Sequence, residues 1–219
     1  MEMPHDDALF DAWIDALFNH AEEDGDWRFD YTPTLEEALN PPEELTPEFI
    51  YKLNQQMLEI SPNYNDWQLA MGLSYIYDPA CSDLARTLQC GPAPLSIRLQ
   101  AVSSMKNIYT DCFELRCLPA LGHLSEEGNE LNGICYMLWD VTPIRSGSVE
   151  IYRAISELLE YVLRLKNIAC IESALHGLGH LVYQRPDAAH TIQNFITKSK
   201  GLDPRLLRYA EAAKTGYIE

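Results

Sequence analysis

Long apolar runs, strand patterns, phosphate-binding glycine loops, paired-cysteine motifs and basic charge are scarce or missing in this 219-residue chain. Each absence removes a class of function. The apolar run Ile134-Cys135-Tyr136-Met137-Leu138-Trp139 stops at Asp140, far short of the roughly 18–20 residues of a membrane span, so no membrane partner is expected. Cys81, Cys90, Cys112, Cys117, Cys135 and Cys170 are irregularly spaced and form no CxxC. A chain of this size needs no disulfide staples, so buried reduced thiols are expected. Gly177-x-Gly179 lies inside a helical pattern and not between a strand and a helix, so it carries no nucleotide meaning. Met1 to Asp7 lacks the basic and apolar regions of a secretory signal, and the expectation is a cytoplasmic protein.

Basic residues are outnumbered, 16 Lys and Arg against 33 Asp and Glu, for a net charge of −17. The imbalance is regional. Residues 1–60 hold sixteen acids against Arg28 and Lys52, a net of −14, and the remainder carries only −3. Such a field repels nucleic acid and attracts basic protein surfaces. A basic protein partner is therefore expected, and no nucleic acid. The candidate partner-binding residues are Asp6, Asp7, Asp11, Asp15, Glu22, Glu23, Asp24, Asp26, Trp27, Phe29, Asp30 and Tyr31. In the stretch from Asp26 to Tyr31 acids alternate with aromatics, the mixture of an anchored interface with a charged rim. The competing reading of the same residues is a solvated acidic surface.

At 47% hydrophobic residues, the chain has the composition of a folded globular protein. Its apolar periodicity is helical nearly throughout. Helices are expected near 6–22, 34–40, 46–60, 64–77, 80–89, 95–117, 127–140, 149–166, 168–184, 187–199 and 204–214. Thr34, Thr46-Pro47, Ser148 and Asp203-Pro204 serve as start signals. The expected architecture is all-α: ten or eleven stacked antiparallel helices, in a HEAT-like solenoid. An acidic N-terminal helical part (1–62) would precede a helical core (63–219), as one continuous domain.

The sharpest chemical candidate is the helical run from Glu172 to His180. His176 and His180 stand four apart on one face, the spacing of helical zinc ligands. Gly177 takes the place of the general-base Glu of the metalloprotease motif, so the protease reading fails. Glu172 and His180 lie about 12 Å apart along the axis, too far to share an ion. A third ligand would come from elsewhere, Asp140 or Cys135. The competing reading is structural: the glycines admit a neighbouring helix or ring, and the histidines make buried hydrogen bonds to Asp140, Tyr136 or a carbonyl. Cys135, Cys170 and Ser173 lack the turn or helix start that activates a nucleophile. No catalytic residue and no cofactor is therefore expected.

The runs Cys135-Tyr136-Met137-Leu138-Trp139-Asp140 and Glu172-Ser173-Ala174-Leu175-His176-Gly177-Leu178-Gly179-His180 resemble a pattern in helical bacterial proteins with no assigned activity. Leu206-Leu207-Arg208-Tyr209-Ala210, with Ala212 and Gly216, belongs to the same pattern. In class and charge the chain is similar to immunity proteins, which neutralise a cognate toxin. That resemblance implies a non-catalytic module that occludes a basic toxin, such as a nuclease. The alternatives are a metal-dependent hydrolase using His176 and His180, and a helical adaptor or chaperone-like scaffold.

Overall fold

Proline and capping side chains open most of the helices, as the sequence implies. The computed structural model describes residues 4–30, 32–199 and 201–218, without the side chains of residues 4–6, 24 and 146. It comprises α1 (Pro4–Phe18), α2 (Pro33–Leu39), α3 (Thr46–Gln55), α4 (Met57–Ile60), α5 (Asp66–Tyr77), α6 (Arg86–Gln89) and α7 (Leu95–Ser104). These are followed by α8 (Lys106–Ile108), α9 (Glu114–Arg116), α10 (Glu130–Val141), α11 (Val149–Val162), α12 (Ile168–Leu181), α13 (Pro186–Lys198) and α14 (Pro204–Ala213). Among the described residues there is no strand. The all-α expectation holds.

Helix α11 illustrates how sequence becomes packing. Ser148 accepts the Ile151 N–H as its cap, and Glu150 sits in the positive first turn. Ile151, Ile155, Leu158, Leu159 and Val162 recur on one stripe and are all buried, each worth about 1.5–3 kcal/mol. Asn65 and Asn129 open α5 and α10 with full capping boxes. Asn129 shifts the start of α10 three residues past the expected 127.

Three expected helices come out differently. The 80–89 segment shrinks to Arg86–Gln89 because the Asp78 and Ser82 side chains accept the Ala80 and Leu84 N–H groups, which diverts the backbone from helix. The 95–117 segment is helical over most of its length but breaks at Met105 and widens into a π-turn at Tyr109–Phe113. In the 46–60 segment the Gln56 N–H is shared between the Lys52 and Leu53 carbonyls, splitting α3 from α4. Thr46 does not cap α3; its hydroxyl donates back to the Pro42 carbonyl.

One hydrophobic cluster runs from Phe10 to Ala213. In it α1 packs on α5, α5 on α10, α10 on α12 and α12 on α14. A second succession joins α3 to α7, α7 to α11 and α11 to α12. The two meet at α12, which also touches α13. These contacts do not recur at a fixed chain interval, so the molecule is a stack of helices and not a demonstrated HEAT-like solenoid. No helix among the described residues is long and apolar enough to cross a membrane.

Candidate functional site

The acidic N-terminal part keeps most of its carboxylates in water. Asp11, Asp15, Glu22, Glu23 and Asp30 are exposed. Asp7 is exposed and pairs with Lys52 at 2.5 Å. Asp26 accepts the Arg28 guanidinium at 2.8 and 2.7 Å, and that hydrogen-bonded pairing holds its carboxyl below the usual range. The side chains of Asp6 and Asp24, and Tyr31 altogether, lie outside the described residues.

The aromatic anchors divide. Phe29 is 47% exposed, as an anchor requires. Trp27, expected as an anchor beside it, is only 5% exposed, so its ring is turned into the core. Its ring stacks on His20 at 4.1 Å and packs near Tyr75 at 5.4 Å. Trp27 and Phe29 share one short 3₁₀ turn, whose threefold repeat sends the two rings in different directions. Strict alternation of polar and aromatic residues conceals this.

A groove of about 450 Å³ lies between α5 and α10. Trp67, Met71, Ile134 and Met137 give it apolar walls, Gly133 lies among them, and its charged lining is Asp78, Glu130 and Arg28, the last paired with Asp26. Met137 is 37% exposed. Gly133 is the signal that sequence reading missed. A Cβ added at Gly72 would meet Phe18 at 2.3 Å, at Gly177 the Trp139 ring at 2.7 Å, and at Gly179 Ile218 at 2.2 Å. At Gly133 a Cβ would meet nothing within 4 Å. A helix-interior glycine costs about 1 kcal/mol relative to Ala, and at Gly133 no packing contact among the described residues requires it.

The histidine face is also built. Asp140 on α10 meets His176 and His180 on α12. The His180 Nε2 stands 2.9 Å from Asp140 Oδ1 and 3.1 Å from His176 Nε2, and His176 Nε2 is 3.7 Å from the other carboxylate oxygen, Asp140 Oδ2. Gly177 lets α12 close on α10, since any side chain there would strike Trp139, the neighbour of Asp140. Behind the cluster, His176 Nδ1 is 2.6 Å from the Tyr209 hydroxyl. That hydroxyl also bonds Tyr136. Arg145 donates to His180 Nδ1 at 2.8 Å and to the Asp140 carbonyl at 2.8 Å. Burial drives the His176 pKa down to about 4, with His180 beside it as the next cause. His180 is lowered by burial and by the Arg145 guanidinium. Both rings are therefore neutral near pH 7.

Glu172 belongs to a different job on the same helix. It is 1% exposed and accepts the N–H groups of Gly122 and His123 at 2.7 and 3.1 Å, together with the His123 ring. His123 in turn stacks on Tyr209 at 4.4 Å. The remaining candidates are sealed. Ser173 donates to the Cys135 carbonyl at 2.5 Å and shares a hydrogen bond with Tyr109. Cys135 and Cys170 are buried free thiols, and burial pushes the Cys135 pKa well up, which leaves it inert. The expectation of buried reduced thiols holds for Cys112, Cys117, Cys135 and Cys170, whereas Cys81 is half-buried and Cys90 exposed.

Compared with protein-family models, curated proteins and solved structures, the chain matches none.

Proposed function

We propose that this protein is a stoichiometric, non-catalytic binder of a basic protein partner. The partner seats an apolar helix face in the α5–α10 groove while the acid-rich N-terminal part steers the encounter. Gly133 is the observation that carries the reading: its cost is offset by no contact among the described residues, and an approaching helix would account for it. The groove's apolar walls suit the apolar face of an amphipathic helix, and with Arg28 neutralised by Asp26 the carboxylates of Asp78 and Glu130 favour basic flanks on it. The carboxylates at Asp11, Asp15, Glu22, Glu23 and Asp30 act on the association rate more than on final affinity. In its specific form, taken from the likeness to immunity proteins, the partner is a basic toxin whose active surface the complex covers.

The test is a pull-down from native lysate at low and high salt with three proteins: wild type, Gly133→Trp, and the quadruple variant Asp11→Asn, Asp15→Asn, Glu22→Gln, Glu23→Gln. One basic partner in equimolar amount is expected with wild type. It should be lost with Gly133→Trp and weakened in the quadruple variant chiefly at low salt, where charge is least screened. Equal capture by all three would remove both the groove and the acidic face from the mechanism. Several unrelated partners would favour the helical adaptor. The hydrolase alternative gains less from the site, because Gly177 occupies the general-base position.

A further inference from the structure

The partner reading makes no use of Asp140, His176 and His180, whose donor atoms converge on one point. An ion held tetrahedrally by bonds of about 2.0–2.1 Å has ligand atoms about 3.3 Å apart. Here the two imidazole Nε2 atoms are 3.1 Å apart, His180 Nε2 is 2.9 Å from Asp140 Oδ1 and His176 Nε2 is 3.7 Å from Asp140 Oδ2. One donor atom from each residue can be taken with all three within 4.8 Å of one another, close enough for a small closure onto one ion. Hydrogen bonding alone accounts for them poorly. Two imidazole nitrogens and a carboxylate oxygen face one another, and the single proton on His180 Nε2 must serve both neighbours.

The surroundings of His176 suit a ligand. Arg145 puts the His180 proton on Nε2, 3.1 Å from His176 Nε2, which must then accept. The His176 proton therefore sits on Nδ1, against the Tyr209 hydroxyl, and the Nε2 lone pair is directed at the cluster. Tyr209 is itself fixed by its stacking on His123, and His123 by Glu172. His180 differs. Arg145 is a donor only, so its bond to His180 Nδ1 forces the ring proton onto Nε2, the tautomer that cannot ligate. Seating an ion therefore moves the proton from Nε2 to Nδ1 and releases Arg145 from that nitrogen. The ring remains neutral throughout. Asp140, with 36% of its side chain exposed, keeps the cluster within reach of solvent.

We propose that Asp140, His176 and His180 form a three-ligand site for one divalent ion of the zinc class, in competition with the Arg145 hydrogen bond. Two imidazoles and one carboxylate select zinc, cobalt or nickel over magnesium or calcium. Three protein ligands leave a fourth position for water or another small donor. Gly177 is part of the device, because it sets the approach of α12 to α10 that brings Asp140 onto the two histidines.

The test is titration of tag-free protein with Co²⁺ alone, followed by visible absorption and then by displacement with Zn²⁺. Wild type should bind one equivalent with the ligand-field bands of a low-coordinate ion. Asp140→Asn and His180→Gln should each weaken binding by at least about tenfold while circular dichroism confirms the fold. Arg145→Met should tighten binding about tenfold, a gain that a merely structural polar cluster would not give. The proposal is overturned if neither wild type nor Arg145→Met shows the bands at up to about 100 μM Co²⁺, a weak limit on the affinity scale. It is equally overturned if Asp140→Asn and His180→Gln bind like wild type, which would place the ion elsewhere.

Discussion

Alanine at Gly133 and alanine at Gly177 should move stability in opposite directions, although both glycines lie inside helices. Each replacement recovers about 1 kcal/mol of helix propensity. At Gly133 nothing opposes the gain, because the added Cβ meets no atom within 4 Å. Gly133→Ala should therefore stabilise by about 1 kcal/mol, a rise of about 2–4 °C in Tm for a chain of this size. At Gly177 the Cβ would stand 2.7 Å from the Trp139 ring and 3.0 Å from Leu159. Overpacking costs about 1–3 kcal/mol. Trp139 is 1% exposed and its indole N–H donates to Tyr109 at 2.7 Å, so turning the ring aside forfeits about another 1 kcal/mol. Gly177→Ala should thus destabilise by about 1–3 kcal/mol net. Urea titration with an unchanged m-value reads both effects. A destabilised Gly133→Ala would mean that the glycine has a fold-internal purpose, and the argument for an occupied groove would collapse. A stabilised Gly177→Ala would show that the α10–α12 approach is not set by that residue.

The two aromatics of the 27–29 turn should separate as cleanly. Trp27→Ala removes a buried ring and should cost about 3–5 kcal/mol in urea unfolding, whereas Phe29→Ala should stay within about 0.5 kcal/mol; equal costs would contradict the burial difference. Acid should weaken the ion-free protein through His176, which faces Asp140, His180, Arg145, Tyr136 and Tyr209. Its folded pKa of about 4 lies below the ordinary imidazole value of 6.5, so the unfolded chain binds the extra proton and stability falls as pH drops from 6.5 towards 4. The lost stability approaches about 3 kcal/mol, and a His176→Gln variant whose urea midpoints fall just as steeply over that window would refute the assignment.

Helix positions were legible wherever an amphipathic stripe met a strong boundary. Ser148 and the stripe from Ile151 to Val162 define α11 with no tertiary information, and Asp203-Pro204 does the same for α14. Failures arose where side chains compete with the backbone, as Asp78 and Ser82 do, or where the hydrogen-bond register widens without a Gly or Pro to mark it, as at Tyr109–Phe113. For the candidate sites the i, i+4 histidines and Asp140 were visible as separate features, but their meeting is a property of the α10–α12 crossing. The role of Arg145 rests on a 3₁₀ turn that no periodicity announces. Trp27 misled because alternation implies exposure only on a strand, and Gly133 passed unnoticed because an open neighbourhood leaves no pattern in one dimension.

The segment from Glu172 to His180 shows how completely a helix interior can be committed. Glu172 anchors the 122–124 turn, Ser173 ties α12 to α10 and to the π-turn, and His176 reaches α14 through Tyr209. Gly177 and Gly179 admit Trp139 and Ile218. Glu172, Ser173, His176, Gly177 and Gly179 thus each have a contact that explains them, and a structural reading accounts for these five. His180 is different: 17% of its side chain is exposed, its partner Asp140 is 36% exposed, and its bond to Arg145 holds it in the non-ligating tautomer. A helix fixed by so many interior contacts cannot readily move to accommodate a ligand. The adjustment must fall on Arg145, which lies outside the helix on a short turn, and this is why Arg145→Met, more than any ligand deletion, distinguishes an ion site from a polar core.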